Sequence, residues 1–104
     1  MHPVVTMVDA RVEAARRDEL VSAFPAKTPA DLPPWLLGTM LISDPATDRW
    51  RIVTSWRSRS DLDEYRRSVE VPAAVQAFRT VGAEPQVEVW EAAILMFNSA
   101  VDRG

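Results

Sequence analysis

The stretch RWRIVTSW (49–56) alternates more cleanly than any other part of the chain. Trp50, Ile52, Thr54 and Trp56 fall on one face of an extended strand, while Arg51, Val53 and Ser55 fall on the other. Such a strand has to bury its apolar face, and its flanks indicate against what. Just before it, DPATD (44–48) reads as a hairpin turn, with Pro45 presetting φ at the second turn position. WLLGTMLIS (35–43) is then an antiparallel partner strand. Just after it, Ser58 and Ser60 each have an acidic residue three positions on (Asp61 and Asp63), the spacing of a helix N-terminus. Leu62, Tyr65 and Val69 follow along one side of that helix.

The remaining segments complete a familiar order. PVVTMVDARV (3–12) reads as a first strand, and EAARRDELVSAF (13–24) as a helix with Leu20, Val21 and Phe24 on one stripe, ended by Pro25. Residues 25–34 hold four of the eight prolines and form a stiff loop. A further helix restarts at Pro72, carries Val71, Val75, Phe78 and Val81 at near-helical spacing, and stops at Gly82. Residues 85–97 form a long last strand. Strand, helix, strand, strand, helix pair, strand is the order of a ferredoxin-like βαββαβ fold of the α+β class, with one antiparallel sheet. The chain is expected to be one domain over residues 1–104, with its core at about 4–97. The third and last strands carry bulky apolar residues on both faces, whereas a lone sheet covered on one side should show a polar face. A second copy packed sheet to sheet, in a homodimer, accounts for this.

Composition removes several function classes. The net charge is −3 and Lys27 is the sole lysine, so no basic stripe exists for nucleic acid. Cysteine is absent, which excludes disulfides and thiolate chemistry. No apolar run approaches the roughly 20 residues needed to span a bilayer. The N-terminus lacks the pattern of a signal peptide, so a cytoplasmic location is expected. No phosphate loop or metal-spaced cluster is present, and the one histidine, His2, leaves no catalytic triad.

The order of elements, together with residues 35–68, resembles the antibiotic biosynthesis monooxygenase family of dimeric α+β barrel proteins. The features that carry the resemblance are the LLGTML strand, the short Asp/Pro turn, and a strand end W-x-S-x-x-x-L at Trp56, Ser58 and Leu62. It runs from about residue 4 to residue 96. The resemblance implies a dimeric α+β barrel with a ligand cavity between helices and sheet in each subunit. It also implies cofactor-independent oxygenation of an aromatic polyketide, anthrone or quinol. Other members of the wider fold isomerise or cyclise their substrates, and a non-catalytic protein that binds small aromatics is a further alternative. Three departures stand out. Haem-degrading relatives carry a ligating His that a gapless count from Trp56 places at Val75, so no haem or other cofactor is expected. Many relatives have His at the position of Tyr65. In anthrone-oxidising relatives, two polar substrate-binding positions fall on Ile52 and Leu62.

The residues expected to carry chemistry are Trp56 and Tyr65. Trp56 is either a pocket wall that donates its indole N–H to a substrate oxygen or core packing where strand meets helix. Tyr65 either bonds a substrate oxygen and relays a proton, or packs its ring and wets its hydroxyl. Phe24, Trp35, Val75 and Phe78 are the expected substrate-binding lining, against the plainer reading of an apolar core. Arg79 is either an oxyanion clamp or part of a solvated helix face. Asp9, Arg51 and Glu91 lie within strands and are expected to pair across them or across the dimer barrel, against the reading of a carboxylate base.

Overall fold

The computed structural model describes residues 2–24 and 32–94. Its elements are β1 (Val4–Arg11), a 3-10 turn (Ala14–Arg16), α1 (Arg17–Ala23), β2 (Leu36–Ser43), β3 (Arg49–Trp56), α2 (Arg59–Ser68), α3 (Ala73–Thr80) and β4 (Gln86–Glu91). The four strands form one sheet in the order β2-β3-β1-β4, and every pairing is antiparallel. This is the ferredoxin-like α+β arrangement, with the helices on one face.

Several boundaries follow from local chemistry. Ser58 caps α2: its hydroxyl oxygen accepts the Asp61 amide at 3.2 Å, and its proton goes to the Asp61 carboxylate at 2.9 Å. Ser60, the other candidate cap, lies inside the helix. Pro72 is the residue before α3, where its carbonyl accepts the Gln76 amide. Gly82 ends α3 at φ 75°, and the amides of Gly82 and Ala83 return to Arg79 and Phe78 in a Schellman motif. In the β2–β3 turn, the Asp44 side chain accepts the Ala46 amide at 3.0 Å.

Two expected elements are corrected. The helix over 13–24 is a 3-10 turn followed by seven α-helical residues. Within it only Leu20 is fully buried, while Val21 is 52% exposed. Adjacent helical residues point about 100° apart, so Leu20 and Val21 cannot share one narrow stripe. The helix ends at Ala23 because Phe24 precedes Pro25 and takes an extended conformation. The last strand is shorter than 85–97. β4 pairs only with β1, and the partner's register runs out at Val4–Glu91, with one further bond from the Ala92 amide to the Pro3 carbonyl. Leu95, Met96 and Phe97 lie outside the described residues.

The alternation in β3 holds as written: Trp50, Ile52, Thr54 and Trp56 are all buried. The core beneath the helices is divided. One cluster joins Val8, Val12, Leu20, Ile52, Phe78 and Val81 with their neighbours, and the other joins Val4, Trp56 and Leu62. The sheet face away from the helices is uncovered in a single chain. Met40, Ile42 and Trp90 are 55%, 42% and 57% exposed there. Asp9 and Arg51 form an ion pair across β1 and β3 on the same face.

The start of α2 makes stability depend on acidity. The Arg57 guanidinium, 2.8 Å from Asp61, is the main cause holding that carboxyl below its usual range, and the Ser58 hydroxyl adds to it. A depressed carboxyl contributes stability that is present at neutral pH and lost as pH falls through its folded-state pKa. Asp61→Asn is therefore expected to melt below the native protein at pH 7, with the gap closing below about pH 4. Thermal melts by circular dichroism across that range check this.

Candidate functional site

Between the helices and the sheet lies a cavity of about 860 Å3, within the roughly 300–1,000 Å3 typical of small-molecule sites. One wall is aromatic. Trp35 and Trp56 stack with ring centroids 5.6 Å apart and planes 7° from parallel, and Tyr65 leans on Trp56 at 5.0 Å. Leu62 and the start of α3, including Pro72, Ala74 and Val75, line another side, and Phe24 contributes from the end of α1. Arg66, Glu70, Arg79 and Glu84 are exposed polar residues that also line the cavity.

The floor is polar. Thr54 of β3 pairs in register with Thr39 of β2 on one side and Thr6 of β1 on the other, so three threonines cross three strands in one row. All three line the cavity. Their parity on β2 depends on the register shift between Leu36 and Gly38. Without that bulge, Leu36 and Thr39, an odd number of residues apart, would face opposite sides of the sheet. The Thr39 and Thr54 hydroxyls bond at 2.9 Å, and Thr6 Oγ1 accepts the Trp56 indole N–H at 3.0 Å. The row also explains the divided core. Along β1, Val4, Thr6 and Val8 run from one cluster through the row to the other, and Trp56, Thr54 and Ile52 do the same along β3.

The cavity surface holds Trp56, Tyr65, Phe24, Trp35 and Val75. Phe78 is not there: it is fully buried in the larger cluster, because α3 turns it beneath the helix and away from the opening. The Trp56 indole is committed to Thr6, which removes it as a donor to substrate. The Tyr65 oxygen accepts the Ala73 amide at 2.9 Å, leaving the phenolic proton without a partner among the described residues. Arg79 is exposed and held by Glu84 at 2.9 Å, which fits the solvated helix face of its two readings. Arg66 makes no ion pair among the described residues. Asp9 and Arg51 pair as expected, on the opposite sheet face, whereas Glu91 is exposed at the end of β4. His2 is exposed. Among the described residues, no group of three or more His, Cys, Asp or Glu could hold a metal ion, and no helix is long and apolar enough to cross a membrane.

The threonine row is a feature of the cavity that the sequence reading missed, although Thr54 sits in the middle of the alternating stretch. The signal was a hydroxyl residue at the centre of an otherwise apolar buried face. Its partners on β1 and β2 become visible only with register.

Thr6→Val leaves the buried Trp56 N–H unpaired and is expected to cost about 1–3 kcal/mol. Thr6→Ser keeps the acceptor and should cost less. Urea denaturation of the two variants against the native chain measures the difference.

No family model matches the sequence, and no curated protein matches it. Solved structures do share the fold. The haem-degrading protein MhuD of Mycobacterium tuberculosis, solved with two haems bound in its active site, is 22% identical, with TM-score 0.64 over 90% of this chain and 99% of that one. A Deinococcus radiodurans protein assigned to the antibiotic biosynthesis monooxygenases is 14% identical, with TM-score 0.63 over 91% and 97%. A conserved protein of unknown function from Bacteroides thetaiotaomicron is 17% identical, with TM-score 0.66 over 88% and 98%.

Proposed function

We propose that this chain is a small monooxygenase-like protein that takes a flat aromatic ligand, an anthrone or quinol, into the cavity and oxygenates it without a cofactor. The observation that carries this reading is the aromatic wall of Trp35, Trp56 and Tyr65 on a cavity of about 860 Å3. Flat rings stack on such a wall, and the surrounding apolar side chains keep water from a reactive intermediate. Once deprotonated, an anthrone is electron-rich enough to reduce dioxygen itself. The balanced outcome is anthrone plus O2 giving anthraquinone plus water, so the protein's tasks are orientation and proton handling. The Tyr65 phenol, anchored by the Ala73 amide, has a proton to offer an oxygen of the bound ring system. Likeness to monooxygenase folds supports the reading without identifying a substrate.

Haem does not fit the residues present. Val75 stands at the position counted for a ligating His, and no His or Cys lines the cavity among the described residues. The Tyr65 oxygen is already bonded to the Ala73 amide.

A second reading is a protein that binds a small aromatic without oxidising it. It is favoured by the deep polar groups being hydroxyls, with the Trp56 N–H already spent on Thr6. An oxygen electrode separates the two. Anthrone in metal-free buffer is expected to give enzyme-dependent uptake that falls roughly tenfold or more in Tyr65→Phe. Tryptophan quenching by the same compound with no uptake selects the binding reading.

The chain works as a homodimer with the open sheet faces packed together, supported by the exposed Met40, Ile42 and Trp90 on a face that also buries part of Val5, Met7 and Val53. Sedimentation at micromolar concentration should give twice the chain mass of 11.7 kDa. Met40→Asp combined with Trp90→Asp should return it to one chain, and a native monomer would overturn the assembly.

A further inference from the structure

We infer that the threonine row is an oxygen-binding site for the inner edge of the ligand, and that it selects ring systems carrying a carbonyl or phenolate oxygen there. This rests on the aromatic-ligand reading and deepens it. The argument is a proton count. Three hydroxyls carry three donor protons, and one is used between Thr39 and Thr54. Thr6 Oγ1 acts as an acceptor toward Trp56, so its own proton remains. Whichever of Thr39 and Thr54 accepts in their shared bond also keeps its proton. Two hydroxyl protons therefore have no partner among the described residues, on side chains that line the cavity. Thr6 and Thr54 are only 6% and 7% exposed, so these protons can be met only by whatever occupies the cavity they line. A buried donor unmatched in an apolar surround is costly, and a ligand oxygen satisfies it.

With Thr39 donating to Thr54, the two free protons sit on the directly paired Thr6 and Thr54, within the reach of one oxygen or of two neighbouring ones, whereas a free Thr39 proton would lie beyond Thr54 and meet a separate oxygen. The Trp56 indole donates into Thr6, which polarises that hydroxyl and makes it a better donor. Trp56 is thus a positioning residue acting through Thr6. Donors aimed at an oxygen favour its anionic form, so the row would stabilise the enolate of an anthrone as solvent base takes up its ring proton. No carboxylate or imidazole is needed at the floor for that stabilisation.

The test uses a matched, soluble pair of the same shape: anthraquinone-2-sulfonate, which has ring carbonyls, and anthracene-2-sulfonate, which lacks them. Tryptophan quenching should show the quinone binding roughly tenfold tighter, and difference infrared spectra should show a bound carbonyl band moved to lower wavenumber. Thr54→Val and Thr6→Val should each narrow the gap and weaken the band shift, while Thr54→Ser and Thr6→Ser retain them in full. Equal binding of the pair by the native chain, or a folded Thr54→Val that keeps the gap and the shift, overturns the inference and leaves the aromatic reading standing. Binding of neither compound overturns both.

Discussion

Side-chain parity in a pleated sheet governs this molecule. In β3, each residue is committed to one face or the other, and the register with β1 and β2 extends that commitment across the sheet. Thr54 therefore brings Thr6 and Thr39 with it. On the faces of β1 and β3, apolar residues above and below the row pack under helices, but hydroxyls at the row do not close into one continuous core. The cavity lies over the line where the hydrophobic packing is interrupted. Filling that line with Val or Leu would extend apolar packing at the expense of the space and the polar floor.

The same commitment gives the β2 bulge its structural consequence. The register shift between Leu36 and Gly38 lets Leu36 face Trp56 in the smaller cluster while Thr39 still faces Thr54. Bulges are places where a strand re-aims its side chains. Here the shift brings an apolar residue and a hydroxyl to the same side of an edge strand.

Much of the fold was legible because its signals are local. The alternation of β3, the Ser58 cap, the Asp44 turn and the Gly82 stop each depend on a few neighbouring residues, and each is found where the chain's chemistry places it. The length of β4 was not legible, since it depends on where β1 begins, many residues away. The site divides along the same line. Trp35, Trp56 and Tyr65 were each singled out from spacing and resemblance, but their stacking into one wall at a strand end was not legible, since Trp35 reaches the other two only through the β2–β3 pairing. Phe78 shared the helical spacing of Val75, yet one is buried and the other lines the cavity, a distinction set by how α3 is rotated on the sheet. The threonine row joins three distant segments, so its constituents were visible but not their conjunction. The destination of the Trp56 N–H was hidden for the same reason, because its acceptor is 50 residues earlier in the chain.

The two faces of the sheet bear on function together. Even-numbered residues of β1 and β3 face the helices and build the cavity floor, while odd-numbered ones, including Val5, Met7, Arg51 and Val53, face the open side. A second sheet packed on that side would make no contact with a ligand, yet it would stiffen the strands that hold Thr6 and Thr54 in register. Hydroxyl donors stabilise an oxyanion well only if they are held in place before charge develops, since reorientation during reaction consumes part of the gain. Strands packed on one side alone have fewer contacts to hold them in place along the cavity. Under the proposed function, the apolar open face and the polar floor are linked requirements of one sheet: association on one side would hold the geometry that chemistry on the other side would require.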